Sequence, residues 1–427
     1  MSHARFTKKD NAADARYDVI VVGGGASGLM AAGRASELGK SVLLIEKNAK
    51  LAEKLRITGG GRCNVTNAED NVHVLLARYG KAKEYLYSPF SKFGVKDTFT
   101  FFEMRGMPLV VEAQKRAFPK THRAADICRI MEKYARTGRV TVKTDSPVTD
   151  IKFSDGKVTS VKCKAESYSA DQFIFATGGL SAPETGSTGD GFNWLKRMGH
   201  KVETASPDVV PLKTRESWSK ALSGVSLQFM KITFMSGEKK AFSKIGRILF
   251  THFGLSGPLI LNSAREVRSL LQSGEVTASI DLYPDTDFAV LEKSVLRSFE
   301  DHKNKTLKNA LEFICPQGMV PGLEILLGKE VCEKKVHSVL KEDRKKIIHL
   351  LKAMPLTIDG LMGFDRAVIS DGGVPLDEVD MKTMRSKLFE NLYLTGDLLH
   401  VNRPSGGYSL QLCWTTGYVA GGSAAGV

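Results

Sequence analysis

At 427 residues the chain is too long for one ordinary core and implies two or three domains of about 150 residues each. An apolar share of 42% and a charged share of 25% are those of a folded globular protein, which excludes disordered and fibrous classes. The net charge of +14 attracts anions, but the basic residues are spread rather than gathered into a stripe with interleaved aromatics, so charge alone does not indicate a nucleic-acid partner.

Residues 1–15 are polar and unpatterned and read as a mobile tail with no apolar segment to serve as a secretory signal. No later stretch approaches the roughly 18 to 20 apolar residues of a membrane span, so a cytoplasmic protein with no membrane partner is expected. The cysteines, Cys63, Cys128, Cys163, Cys315, Cys332 and Cys413, form no CxxC pair, which argues for reduced thiols and against a metal site or a dithiol centre.

Tyr17 to Val22 is a short β-rich apolar run. Gly28 to Leu38 follows as a helix, with Leu29, Ala32, Ala35 and Leu38 on one face, and Ser41 to Ile45 reads as a second strand, which completes a βαβ unit. Ala125 to Thr137 is predicted helical. Val140 to Thr144, Val148 to Phe153 and Val158 to Cys163 are predicted strands of a small antiparallel layer, and Gln172 to Ala176 is a buried strand closed by Thr177, Gly178 and Gly179. After Pro207 the character changes. Ser223 to Phe234 and Ala278 to Leu282 are strand-like, whereas Phe288 to Ala353 has helical spacing with many lysines and glutamates. In its lysine-dense part, Val331, Val336, Val339, Leu340, Ile347, Leu350 and Leu351 are expected on one helical face. Leu392 to Leu394 is a last apolar strand, and Gly406 to Ala420 a glycine-led helix. The expected organisation is a nucleotide-binding domain of residues 16–206 and 354–427, interrupted by a β-rich insertion at 207–285 and a helical one at 286–353.

A GxGxxG pattern falls on Gly23, Gly25 and Gly28, directly after a strand and at the opening of a helix, which is the context that makes it informative. Gly23 permits the tight turn and Gly25 lets a pyrophosphate approach the backbone. Gly28 lets helix and sheet pack, and the helix N-terminus supplies N–H groups and a positive dipole end. Glu46, at the end of the second strand, can accept ribose hydroxyls. FIFATGG, ending in Thr177 to Gly179, and YLTGD, ending in Asp397, are further strand-to-glycine turns. They give an extended FAD the contacts that it needs beyond its pyrophosphate, and Asp397 can accept from ribityl hydroxyls. TGGGRCNVTN at Thr58 to Asn67 adds a third close backbone approach, with Arg62 and Asn64 as donors beside it. GSTGDG at Gly186 to Gly191 has the wrong spacing for a second dinucleotide, so any NAD(P)H is expected to bind transiently.

These segments, with RAFPKTHRAADI, FATGGLSAPETGSTGDGFNWLKRMGH, LFTHFGLSGP and YLTGDLLHVNRPSGGYSLQLCWTTGYVAG, resemble the flavoprotein family that includes aminoacetone oxidases and 3-dehydro-bile-acid Δ4,6-reductases, over nearly the whole chain and in order. The resemblance implies an α/β fold with a Rossmann-like FAD-binding domain of the glutathione reductase/succinate dehydrogenase flavoprotein type, interrupted by an inserted β-barrel-like and helical domain that roofs the active site. It also implies tightly bound FAD contacted by Gly23, Gly25, Ser27, Gly28, Glu46 and Lys47; by Gly60, Gly61, Arg62, Cys63 and Asn64; by the backbone of Val148; by Thr177 and Gly178; and by Gly396, Asp397, Gly407, Tyr408, Ser409 and Leu410. In one place the chain departs from the pattern. Where members commonly carry an acidic, glycine-containing stretch after the GD pair, this chain reads LLHVNRPSGG, which brings in His400 and Arg403, so no member's substrate carries over directly.

In such an enzyme the flavin carries the hard step, while the protein binds, orients and tunes. The helix beginning at Gly406 to Ser409 suits the negative charge that gathers on the reduced ring, and Arg62 is a second candidate for that task or a structural ion pair. His252 and His400 are candidate proton donors or structural histidines, and Tyr408 can orient a carbonyl or simply pack. Cys63 stands beside a cation but lacks a partner cysteine in motif spacing. The leading expectation is an FAD-dependent oxidoreductase that takes hydride from NAD(P)H and reduces a small enone-type acceptor. An amine oxidase that uses oxygen is the enzymatic alternative, a flavin-bearing RNA-binding or RNA-modifying protein is one from another class, and an idle FAD-binding scaffold is the plainest.

Overall fold

The computed structural model describes residues 16–427, so the tail expected at 1–15 lies outside the described residues. The described residues divide into two compact units, one of 16–206 and 369–427 and one of 207–368.

The first unit is organised by a seven-stranded sheet. Its strands are β1 (Tyr17–Val22), β2 (Val42–Ile45), β6 (Val140–Lys143), β10 (Ala170–Phe175), β19 (Val379–Asp380), β20 (Arg385–Ser386) and β21 (Leu392–Leu394), in the order β19-β20-β21-β10-β1-β2-β6. From β6 to β21 the pairing is parallel, with Val19 beside both Val42 and Gln172 and Phe173 beside Leu392. Val19, Ile20 and Val21 are fully buried, as expected of a central parallel strand covered on both faces. The reading of Val140 to Thr144 as part of a small antiparallel layer is corrected: β6 is the parallel edge beside β2, reached through the helix Ala124–Ala135, and a helical crossover returns a strand parallel. The antiparallel layer itself consists of β7 (Val148–Ser154), β8 (Lys157–Cys163) and β9 (Glu166–Tyr168). A second small sheet joins β3 (Thr66–Asn67), β5 (Arg116–Pro119) and β4 (Leu109–Glu112).

Two helices lie against each other in this unit, Ala26–Glu37 and Tyr408–Ala424. A Cβ on Gly417 would stand 2.3 Å from the Ser27 carbonyl oxygen, and one on Gly421 2.4 Å from that of Ala31, so the backbones approach to a distance that only glycine permits. The matched order of these contacts makes the two helices parallel. The later helix starts roughly eight residues further from the contact, so its N-terminus overhangs that of the first by about 12 Å at about 1.5 Å per residue.

The chain leaves and re-enters the first unit through a two-stranded ribbon, β11 (Glu203–Asp208) with β18 (Ile369–Gly373). The second unit is a closed barrel of β12 (Leu212–Thr214), β13 (Ser226–Ser236), β14 (Lys239–Thr251), β15 (Gly254–Ser256), β16 (Val276–Asp281) and β17 (Met354–Leu361), ordered β12-β15-β14-β13-β16-β17. The expected return at 354 is corrected to 369, because β17 pairs with both β16 and β12 and so closes the barrel. The β-rich and helical parts also share one core, in which Leu291, Val295, Ile347 and Leu351 pack with Ile232, Phe250 and Ile280. The lysine-dense stretch is broken into Lys329–Glu333, a turn at Val336–Ser338 and the helix Lys341–Lys352, and Leu340 is exposed at 59%, so its apolar residues do not form one face. Among the described residues no helix is long and apolar enough to cross a membrane.

Candidate functional site

The glycine turns of the first unit build one cradle. Gly23 has φ +107, and a Cβ on Gly28 would lie 1.8 Å from the Gly23 carbonyl oxygen, so the turn and the helix start touch backbone to backbone. Around Gly25, which caps the helix without any side-chain hydrogen bond, a Cβ would meet nothing within 4 Å. Ser27 is buried and its hydroxyl meets Thr395 Oγ1 at 3.1 Å. At the end of β2, Glu46 accepts the Gly24 amide at 2.7 Å on one oxygen and the Asn48 amide at 2.8 Å on the other, which leaves each oxygen a further lone pair for a hydroxyl. Burial raises its carboxyl above the ordinary value, against the pull of these two amides.

Lys47 is held by Asp190 at 2.7 Å and by the Thr188 hydroxyl, and both belong to the GSTGDG segment. That segment, set aside in the sequence as unfit for a second dinucleotide, has a place in the first site. A Cβ on Gly186 would stand 2.5 Å from Asn48 Nδ2, and one on Gly178 2.9 Å from Ser187 Oγ. Val148 begins β7 just after Ser146 and Asp145, whose amides bond to the Glu46 and Asn48 carbonyls at 3.0 Å each. The Thr177 hydroxyl oxygen is buried with no protein partner, at the turn that follows β10.

The far end of the cradle is the loop Thr58–Gly61 set against the start of the helix Tyr408–Ala424. Gly59, Gly60 and Gly61 all have positive φ, and at Gly60 and Gly61 a Cβ would meet nothing within 4 Å. Asn64, with its amide turned to satisfy its neighbours, donates to the carbonyls of Thr66 and Ala117 at 3.1 Å and accepts the Gly407 amide at 3.0 Å. It therefore ties the loop to the helix start. Gly407 has φ +99, and a Cβ there would stand 2.3 Å from the Thr66 backbone. The helix has no side-chain cap, so the first-turn amides of Tyr408, Ser409 and Leu410 have no acceptor within the helix.

Between the two ends lie charges that the motif reading had only partly identified. Arg403 is 2% exposed; its guanidinium donates to Asp397 Oδ1, to the Val401 carbonyl at 2.6 Å and to Ser409 Oγ at 3.0 Å. One oxygen of Asp397 is thus already engaged. Lys54, which no motif singled out, donates to Ser181 Oγ at 3.2 Å, and burial lowers its ammonium against the attraction of Asp397. Lys54 and Arg403 share the field of Asp397, with Glu184 a weaker second carboxylate for Lys54, and two buried cations on one shared carboxylate favour a bound anion.

The candidate catalytic side chains do not all converge. Arg62 donates to Glu112 Oε1 and to His122 Nδ1, the latter at 2.8 Å, and its guanidinium carbon lies 4.2 Å from the centre of the Phe118 ring. Tyr408 is 8% exposed and packs edge-on against Tyr79, whose hydroxyl donates to the Tyr408 carbonyl at 2.9 Å, so its ring is a packing element and its backbone amide is the part left for chemistry. His400 faces Asp371 of β18 at 3.4 Å. His252 belongs to the second unit, exposed in the turn between β14 and β15 and edge-on to Phe253. Cys63 is fully buried and burial pushes its thiol up to about 12, so the neighbouring cation does not make it a thiolate. Iodoacetamide at pH 8 is expected to leave Cys63 unlabelled in the native protein and to alkylate it only after denaturation, which peptide mass mapping checks; native labelling at a rate typical of a free thiol would contradict this.

These features fit an extended dinucleotide: two helix N-termini without side-chain caps and about 12 Å apart along parallel axes, glycine approaches at both ends, and an unpartnered hydroxyl at the turn after β10. Comparison with known proteins agrees. The family model described as the HI0933-like protein Rossmann domain matches residues 17–423. A 3-dehydro-bile acid delta(4,6)-reductase of Clostridium scindens is 30% identical over 413 residues, which is 95% of this chain and 98% of the relative. A ribosomal RNA dihydrouridine synthase of Escherichia coli is 27% identical over 406 residues, covering 94% and 96%. Among solved structures, a 3-ketosteroid-Δ4-(5α)-dehydrogenase from Rhodococcus jostii covers 99% of both chains at a TM-score of 0.56 and 14% identity, a likeness of fold.

Proposed function

The chain belongs to the HI0933-like Rossmann family and is an FAD-dependent oxidoreductase, and we propose that it takes hydride from NAD(P)H and reduces a carbon–carbon double bond conjugated to a carbonyl. The observation that carries this reading is the pair of offset helix N-termini, one suited to a pyrophosphate and the other to charge on a ring at the far end of the same molecule. The named relatives support the choice of acceptor. A 3-oxo Δ4,6 system and the C5–C6 bond of uridine are both alkenes conjugated to a carbonyl, so the two names describe one reaction class on different substrates.

When bound, FAD supplies hydride exchange at N5 of its ring. Around it, Gly23, Gly25 and Gly28 would leave room for the pyrophosphate, Glu46 would accept ribose hydroxyls, and Thr177 Oγ1 and the second oxygen of Asp397 would meet the chain between pyrophosphate and ring. Lys54 and Arg403 would add positive charge along that chain. The amides of Tyr408 to Leu410 would face the ring edge where charge gathers, and donors already aimed there need no reorganisation.

The purified protein, mixed anaerobically with NADH and with NADPH, is expected to lose its flavin absorbance with at least one of them and to regain it on addition of 2-cyclohexen-1-one. If neither nicotinamide bleaches the flavin while a primary amine does, the amine oxidase reading replaces this one. A second reading, that the reduced alkene is a uridine within RNA, draws on the charge of +14 and on the rRNA-modifying relatives. It requires RNA affinity that falls steeply with salt, and an unmodified rRNA transcript that reoxidises the reduced protein faster than the small enone does.

A further inference from the structure

Addition of hydride to a conjugated alkene moves its π electrons onto the carbonyl oxygen, and a donor waiting at that oxygen lowers the barrier. Resting on the function proposed above, we infer that His122 is this donor, with Arg62 and Glu112 as its positioning pair.

The first ground is the backbone around the glycine loop. Cys63 (φ +60), Gln114 (φ +60), Lys115 (φ +57) and His122 (φ +52) are left-handed residues other than glycine, and they flank the left-handed glycines Gly59 to Gly61. Such conformations cost energy and cluster where a site must hold a particular geometry. β5 joins the two strained segments: it runs from Arg116 to Pro119, pairs with β3 just after the glycine loop, and ends in the turn where the His122 amide bonds to the Pro119 carbonyl at 2.8 Å.

The second ground is the hydrogen bonding. One nitrogen of the Arg62 guanidinium gives its two hydrogens to Glu112 Oε1 and to His122 Nδ1. A guanidinium only donates, so Nδ1 accepts and the ring hydrogen stands on Nε2. Glu112 is 3.7 Å from Nδ1, too far to take a proton from it, and serves instead to hold Arg62, whose guanidinium carbon also lies over the Phe118 ring. The result is an imidazole of fixed tautomer whose Nε2–H has no protein acceptor among the described residues and whose side chain is 41% exposed, on the turn beside a loop that leaves open space at Gly60 and Gly61. An uncharged imidazole N–H can polarise a carbonyl oxygen without giving up its proton.

Hydride, originating in NAD(P)H, adds to the carbon β to the carbonyl and the alkene π bond breaks. The electron pair settles on the carbonyl oxygen against the His122 Nε2–H, and a proton from water adds at the α carbon to give the saturated carbonyl compound.

The test compares wild type with His122→Phe and His122→Gln, both checked for FAD content and melting temperature. Bleaching by NAD(P)H is expected to stay within about twofold of wild type in both. Reoxidation by 2-cyclohexen-1-one is expected to slow about 100-fold or more in the Phe variant and to recover in part in the Gln variant, which keeps an N–H donor. Independently of turnover, 15N NMR of the wild type is expected to show His122 as the Nε2–H tautomer, and 4-nitrophenolate, a stable mimic of the charged oxygen, should bind at least tenfold more weakly to His122→Phe. Equal reoxidation rates in wild type and His122→Phe, an Nδ1–H tautomer, or unchanged 4-nitrophenolate affinity would overturn the inference and leave the proposed reaction standing. Failure of the wild type itself to be reduced by either nicotinamide sinks the proposed reaction instead, and the tautomer and the 4-nitrophenolate affinity then still decide for or against His122. If the Phe variant does not fold, His122→Leu, which also lacks a donor, carries the same comparison.

Discussion

Gly28→Ala is expected to yield a protein that no longer retains FAD. The added Cβ would stand 1.8 Å from the Gly23 carbonyl oxygen, 3.0 Å from the Gly23 carbonyl carbon and 3.2 Å from the Ala176 Cβ. Two of these three atoms are backbone in a turn pinned by the Gly23 amide on the Ile45 carbonyl at 2.8 Å, so no side chain can rotate away to relieve the contact. Either the helix Ala26–Glu37 lifts off the turn or the turn opens, and each movement takes the first-turn amides away from the pyrophosphate position. Overpacking of this kind costs about 1–3 kcal/mol or more in stability. FAD affinity should fall by roughly two orders of magnitude, since each tenfold is about 1.4 kcal/mol. The ratio of flavin to protein absorbance after gel filtration, and titration of the apoprotein followed by flavin fluorescence, measure this. A Gly28→Ala protein that holds FAD as tightly as wild type would refute the assignment of the turn.

Asp397→Ala is expected to cost the most stability of any single change in the cradle. It removes the one carboxylate bonded to Arg403, whose side chain is 1% exposed, and leaves a buried cation without compensation, a loss of about 3–5 kcal/mol. Lys54 suffers in the same direction, because Asp397 is the leading charge that opposes its desolvation. The double variant Asp397→Leu with Arg403→Met should be more stable than Asp397→Ala alone, because both charges leave together and apolar volume replaces them. Urea unfolding of the three proteins checks the order; a double variant less stable than Asp397→Ala would mean that Arg403 acts through its bonds to Val401 and Ser409 rather than through charge.

Much of the nucleotide-binding unit could be read directly because its signals are local. A strand, a glycine turn and a helix within one βαβ stretch follow from hydrophobic period and from the absence of side chains where backbone must approach backbone. Gly417 and Gly421 are the tertiary counterpart: they sit inside a helix where spacing marks them as ordinary, and only the contact with Ser27 and Ala31 explains them. The misplaced strand Val140–Lys143 and the early return at 354 have one cause. Whether a strand pairs in parallel with the central sheet or closes a barrel depends on partners far away in sequence, and alternation within the strand does not carry that information.

The same division runs through the candidate site. By itself the sequence determined the class of protein and marked the glycine positions of the cradle, with Glu46 and Asp397 as its candidate carboxylates, because these depend on which residue types a close approach tolerates. It also named Arg62, His252, His400, Tyr408 and Cys63, with alternative roles left open for each. Only the tertiary structure decided that Tyr408 packs against Tyr79, that Cys63 is sealed from solvent, that Arg403 takes one oxygen of Asp397, and that Arg62 spends two hydrogens on Glu112 and His122. Lys54 and His122 emerged only there as well. The physical reason is that a charge or a hydrogen-bond donor is defined by what surrounds it. In this chain those surroundings are assembled from segments tens to hundreds of residues apart, as when Lys54 meets Ser181 and Asn64 meets Gly407.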